Sequence, residues 1–283
     1  MSAVLTVMQA TSASAHTLAA PTTDATDVLL VALPVVLGAA LYLLGLLRHR
    51  SSLTMRWRPV AFYGGLVVLA ASLLPPLDAW SATSFAFHMT QHELLMLVAA
   101  PLLVLGRPLP YFLWSLPASW RAAVGGTVRG PVIRPAWRGL LNPAVAWTFH
   151  AAVLWVWHAP LFFDTALRQQ GVHDFQHLSF LVAALVFWAA LLEERVRERQ
   201  GAGVLYLFTT TVHTGVLGAL LTFATHPWYS AYVDRAPLWS LAPLEDQQIG
   251  GLIMWVPASL VYVGAGLFLL ARWIGAADAP PCA

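Results

Sequence analysis

The stretch His88-HMTQHELLMLVAAPLLVLG-Gly106 decides how this chain is read. Two histidines four residues apart, with a glutamate beside the second, stand at the head of an apolar run. A helix that crosses a bilayer core needs roughly 20 mostly apolar residues. This stretch meets that length, yet it carries titratable groups into one end of the span. Ionisable side chains in spans are costly and are kept for function.

Working outward, apolar runs of similar length recur along the chain. They predict about seven transmembrane helices: Val28–Leu47, Val60–Leu77, His88–Leu105, Pro143–Ala159, His173–Leu192, Val204–Ala224 and Gln248–Arg272. Composition agrees. Of 283 residues, 59% are hydrophobic and only 10% charged, and mean hydropathy is +0.69. Soluble domains are about a quarter charged. The expected fold is therefore all-α, a polytopic membrane helix bundle forming one domain over residues 28–273. An extracytoplasmic leader (1–27), disordered or cleaved after ASAH at 13–16, precedes it, and a cytoplasmic tail (274–283) follows.

The 15 basic residues are all Arg. On that seven-span scheme, Arg48, Arg50, Arg56, Arg58, Arg107, Arg121, Arg129, Arg134, Arg138, Arg195, Arg197, Arg199 and Arg272 fall on one side. Only Arg168 and Arg235 fall on the other. Arg-rich short loops stay in the cytoplasm, which places the N-terminus outside and the C-terminus inside. In the long third connection, WSLPASWRAAV (Trp114–Val124) reads as an interfacial helix anchored by Trp and Arg.

A single cysteine, Cys282, excludes an internal disulfide and any Cys-based zinc or redox site. A metal would have to be held by His, Met or carboxylate. His88 and His92 open the third span, His158 closes the fourth, His173 and His177 open the fifth, and His226 follows the sixth. All six gather at the outer face, while His150 and His213 lie deeper. Residues at i and i+4 share a helix face about 6 Å apart along the axis. Each pair, His88/His92 and His173/His177, therefore presents two imidazoles in one direction. Met96 extends the first stripe, and imidazole with thioether favours copper, particularly Cu(I), without excluding zinc. A structural hydrogen-bond network and a metal-free proton relay remain alternative readings of the same residues.

Glu93 reads as orienting a ligand imidazole or moving protons, or else as paired with a neighbouring helix, and Asp174 reads as orienting a ligand or as solvated. Glu245 and Asp246 enter the last span, where helix N-terminal amides favour carboxylates without any function; an acidic docking or metal-uptake mouth is the functional alternative. Asp164 reads as solvated. Gly250 and Gly251 read as close-packing positions. No nucleophile–base pair and no phosphate-binding glycine loop occurs, so the chain reads as a non-enzyme, with no nucleic-acid partner.

Several ordered blocks carry a resemblance: FHMTQHELLMLVAAPLLVLGRPLP, NPAVAWTFHAAVLWVWHAPLFFDTAL, HDFQHLSFLVAALVFW, TTTVHTGVLGALLTFATHPWY and APLEDQQIGGLIMWVPASLVY. Together they are similar to the multi-span CtaG family of cytochrome c oxidase assembly proteins over roughly Phe85 to Trp273. The resemblance implies a multi-pass bacterial plasma-membrane protein that helps mature a haem–copper oxidase, with oxidase subunits or other assembly factors as partners. It assigns no catalytic residue. With the histidines, it raises the expectation of copper received by an outer ring of His and Met and held deeper by His150 and His213. A haem-binding redox protein, with haem ligated between facing helices, is the alternative, and a metal-free scaffold for oxidase subunits is a third reading.

Overall fold

The computed structural model of the protein describes residues 25–49, 57–192, 200–233 and 240–277. Residues 1–24 of the expected leader, Arg50, Arg56, Arg195, Arg197, Arg199, Arg235 and Cys282 lie outside the described residues. Those residues are all helix and connection, with no strand among them.

In chain order the helices are α1 (Ala25–Arg48), α2 (Trp57–Leu73), α3 (Leu77–Ser81), α4 (Phe85–Glu93), a π-helical segment (Leu94–Ala99), α5 (Ala100–Leu105), α6 (Pro108–Ser115), α7 (Ala118–Arg129), α8 (Ile133–Leu140), α9 (Pro143–His158), α10 (Pro160–Arg168), α11 (Gln170–Leu192), α12 (Gln200–Thr222), α13 (Ser230–Val233) and α14 (Pro243–Ala277). Among the described residues, five spans are long and apolar enough to cross a membrane: Val28–Arg48, Phe85–Leu105, Gln170–Leu192, Gly201–Thr222 and Pro243–Gly275. A sixth arises only if α8 and α9, bent by 67°, are one broken span. The remaining expected span, α2, is an apolar helix of 17 residues, short of a full crossing. Its predicted end at Leu77 fails because Pro75 and Pro76 follow closely, and proline cannot continue a helix.

Apolar side chains fill the core, from Phe85 and Met89 to Phe187 and Tyr262, and also cover the outside. Large apolar residues face outward along whole helices: Leu205, Phe208, Val212, Val216 and Leu220 on α12, and Leu252, Val256, Leu260 and Leu267 on α14. The interior holds His88, Gln91, His92, His150, His158, Gln176, His177, Thr210 and Gln247. An apolar exterior with buried polar groups kept to the interior is what a lipid solvent selects, because polar groups on the lipid face are costly.

Local chemistry explains the elements that carry these histidines. Ser84 caps α4, its hydroxyl accepting from the Phe87 amide at 3.4 Å. Asn142 caps α9, accepting from the Ala144 amide at 3.0 Å, with Pro143 at the first position, where its missing N–H costs nothing. The third predicted span is one rod with a widened middle. There the Ala100 amide reaches back to the Leu95 carbonyl rather than to Met96. The released Met96 carbonyl accepts the indole N–H of Trp188 at 2.9 Å, so the irregularity leaves that buried group paired. On α14, the two glycines serve packing as expected. A Cβ on Gly251 would stand 2.8 Å from the Gly218 carbonyl of α12, and one on Gly250 would strike Phe85 of α4. Helices α12 and α14 thus approach through small residues.

The third connection is largely helical. The predicted interfacial helix begins only at Ala118, because Pro117 interrupts it, and runs on to Arg129. Arg121 stacks on Trp114 with its guanidinium carbon 4.1 Å from the ring centre.

Candidate metal centre

Three helices bring five imidazoles to one end of the bundle. α4 supplies His88 and His92, α11 supplies His173 and His177, and the last residue of α9 is His158. Ring centres lie 4.4 Å apart for His88–His92 and 4.3 Å for His173–His177, as the i, i+4 spacing requires. Between helices they are 5.4 Å for His88–His173, 5.7 Å for His88–His177, 5.2 Å for His92–His177 and 6.4 Å for His92–His158. One nitrogen each from His88, His173 and His177 lies within 4.8 Å of the others. Small ring rotations would bring such nitrogens to the roughly 2 Å radius at which imidazole binds a metal.

The partners of these rings bear on which nitrogen is available. The Leu154 carbonyl lies 2.7 Å from His158 Nδ1 and can only accept, so Nδ1 carries the proton. His158 Nε2 is then a bare lone pair, buried and without a hydrogen-bond partner. Tyr232 donates its hydroxyl proton to the Ser81 carbonyl at 2.8 Å and stands 3.1 Å from His88 Nδ1. Having spent its proton, that oxygen accepts from His88 Nδ1. Metal-ligating imidazoles are oriented in this way by a bond to their other nitrogen. Both nitrogens of His92 and Nε2 of His177 are also buried without partners. Buried polar atoms are normally paired, so this concentration of bare imidazole nitrogen fits a ligand.

The cluster is reached from the side. A groove of about 420 Å³ between α1, α2 and α11 has apolar walls and ends at Asp78, Gln170, His173, Asp174 and His177. Asp174 accepts from Gln170 at 2.9 Å. Asp78, which sequence reasoning missed, accepts from the buried Gln91 of α4 at 3.1 Å.

The other acidic candidates are engaged elsewhere. Glu245 accepts the Ala242 amide at 2.9 Å, closing the first turn of its own helix. Asp246 is buried and caps α4 from across the bundle, accepting from Ser84 Oγ and the Phe85 and Ala86 amides. Asp164 is not simply solvated: it accepts from Ser230 Oγ at 2.6 Å and from the Ser230 and Ala231 amides, fixing α13. That short helix carries Tyr232 and follows Tyr229, which donates to the His158 carbonyl at 3.0 Å. Burial first, and then the Asp164 charge, push the Tyr229 phenol above its ordinary range, so it stays a neutral donor. Neither Tyr232 nor Asp164 had a sequence signal beyond residue type.

His150 and His213 stand apart from the five. Their ring centres are 6.1 Å apart, with Phe187 against His150 and Trp147 against His213. Met96 and Glu93 line a deeper cavity with His150. His226 is exposed beside Thr225.

The sequence profile of the cytochrome c oxidase caa3 assembly factor family (Caa3_CtaG) matches residues 40–276. Among curated proteins, an uncharacterized protein of Mycobacterium leprae is 26% identical over 261 residues, covering 87% of this chain and 39% of its own length. Uncharacterized proteins of Mycobacterium bovis and Mycobacterium tuberculosis are each 26% identical over 241 residues, covering 80% of this chain and 35% of their own. The chain thus spans well under half the length of these relatives. No solved structure matches.

Proposed function

The chain belongs to the cytochrome c oxidase caa3 assembly factor family, and we propose that it serves oxidase maturation by binding copper as cargo in the five-histidine cluster. The observation that carries this reading is the convergence of His88, His173 and His177 from two helices, with their ligand nitrogens within 4.8 Å. Nitrogen-only sites suit copper and zinc, and a haem–copper oxidase is a consumer of copper. The chain's own residues bind and orient. Tyr232 and the Leu154 carbonyl hold the rings of His88 and His158 by their Nδ1 atoms, and Asp78 and Asp174 flank the groove through which a cation would approach.

In this reading the protein is a non-catalytic, multi-pass protein of the bacterial plasma membrane. Its seven spans comprise the five long helices, the bent α8–α9 pair and α2, and the histidine end faces outward. Oxidase subunits or companion assembly factors receive the cargo.

The test is copper content of full-length protein purified in detergent, loaded with Cu(I) under reducing conditions. It is compared with an identically prepared His88→Ala, His177→Ala variant. The expected result is copper bound in the parent and lost from the cluster in the variant. Equal copper in both would overturn the reading. An intense Soret band in the parent would instead favour haem.

A further inference from the structure

Below the cluster the bundle holds a second, much smaller cavity, in which polar groups stand among apolar ones. Glu93, Met96, His150, Thr214, Met254 and Tyr262, with three aliphatic residues, line a void of about 10 Å³, room for one water-sized occupant. His150 is 1% exposed and its Nδ1 has no partner. Glu93 Oε2 is likewise buried and unpartnered. Among the described residues, no Arg lines the void. A carboxylate buried away from water demands either a proton or a cation.

The other donors select between the two. Met96 and Met254 are 6% and 4% exposed, and both border the void. A proton site has no use for thioethers. Two thioethers, one imidazole and one carboxylate form a soft, singly charged donor set that suits Cu(I) and is poor for Mg or Ca. A monovalent cation there would leave the site neutral in a medium of low dielectric. We propose that Glu93, Met96, His150 and Met254 form a second, mid-bundle Cu(I) site. It sits one turn beyond His92 on the same rod, about 6 Å further along at 1.5 Å per residue. The rod widens into its π-helical segment at this point, and such widenings recur at functional sites. The proposal deepens the cargo reading by adding a second station, yet it stands on different residues.

The test loads the full-length protein with Cu(I) under reducing conditions and reads both stoichiometry and the X-ray absorption of copper. Parent protein should hold about two equivalents, one with nitrogen neighbours and one with sulfur neighbours. The His88→Ala, His177→Ala protein should keep only the sulfur-coordinated copper. The Met96→Leu, Met254→Leu protein, changed by nearly volume-conserving swaps, should keep only the nitrogen-coordinated copper. No sulfur scattering in the histidine variant, or no loss on the methionine swaps, overturns the proposal. Copper confined to the sulfur site would instead sink the five-histidine reading and leave this one standing. Should the double methionine swap fail to fold, Met254→Leu alone must lower the sulfur neighbour count, and an unchanged count would overturn the proposal.

Discussion

The Asp246 carboxylate on α14 accepts the Ser84 hydroxyl at 2.7 Å, 162 residues away in sequence. The same group takes the amides of Phe85 at 2.6 Å and Ala86 at 3.2 Å. Unpaired amides at a helix start need acceptors, and a charged acceptor also meets the positive end of the helix dipole. One side chain therefore fixes the start of the helix that carries His88 and His92 three and seven residues later.

Asp246→Ala should lower stability by about 1–3 kcal/mol, since it strands buried donors. Copper affinity should fall with it, through loss of His88 and His92 placement. Thermal unfolding in detergent and competition titration with a Cu(I) chelator read the two effects. A variant of undiminished stability that loads copper slowly would instead mark Asp246 as a docking acid at the mouth.

Tyr232→Phe removes the acceptor at His88 Nδ1 while leaving the ring in place. Loss of such an orienting partner typically costs 10–100-fold in metal affinity. The expected outcome is that loss at the nitrogen site, with an unfolding midpoint shifted far less than by Asp246→Ala. An unchanged affinity would mean that His88 needs no help from the phenol.

Gly251→Ala places a Cβ 2.7 Å from the Thr222 amide and 2.8 Å from the Gly218 carbonyl. Both are backbone atoms, so α12 and α14 must separate, at about 1–3 kcal/mol for an overpacked contact. Gly264→Ala, on the same helix with nothing within 4 Å, should gain up to about 1 kcal/mol from helix propensity. Unfolding midpoints that move in opposite directions check the pair.

Local periodicity made much of this molecule legible. The i, i+4 rule gave both histidine pairs, and composition gave an all-helical membrane fold. What sequence could not give was anything set by helix order. Asp246 reads as an acid at the start of its own helix, yet it caps α4. Asp164 reads as solvated because nothing local shows that α13 folds back over it. Met96 continues the stripe of His88 and His92, but one further turn carries it into the deeper cavity beside Met254. The break between α8 and α9 and the end of α2, by contrast, are written locally in Asn142–Pro143 and Pro75–Pro76, which hydropathy alone does not read.

Asp164 and Tyr232 act on one element, which makes a coupling prediction. Asp164 holds Ser230 and Ala231 at the start of α13, and Tyr232 two residues on reaches His88. Asp164→Ala should loosen α13 and let the phenol drift from the imidazole, weakening copper binding at the nitrogen site about as much as Tyr232→Phe, within the 10–100-fold range for an orienting partner. Since both substitutions break one chain of contacts, the double variant should lose little more than either alone, a non-additivity expected of residues sharing a network. Competition titrations on the two single variants and the double variant measure the cycle. Additive losses would show that Asp164 reaches the site by another route, and no loss on Asp164→Ala would show that α13 is held without it.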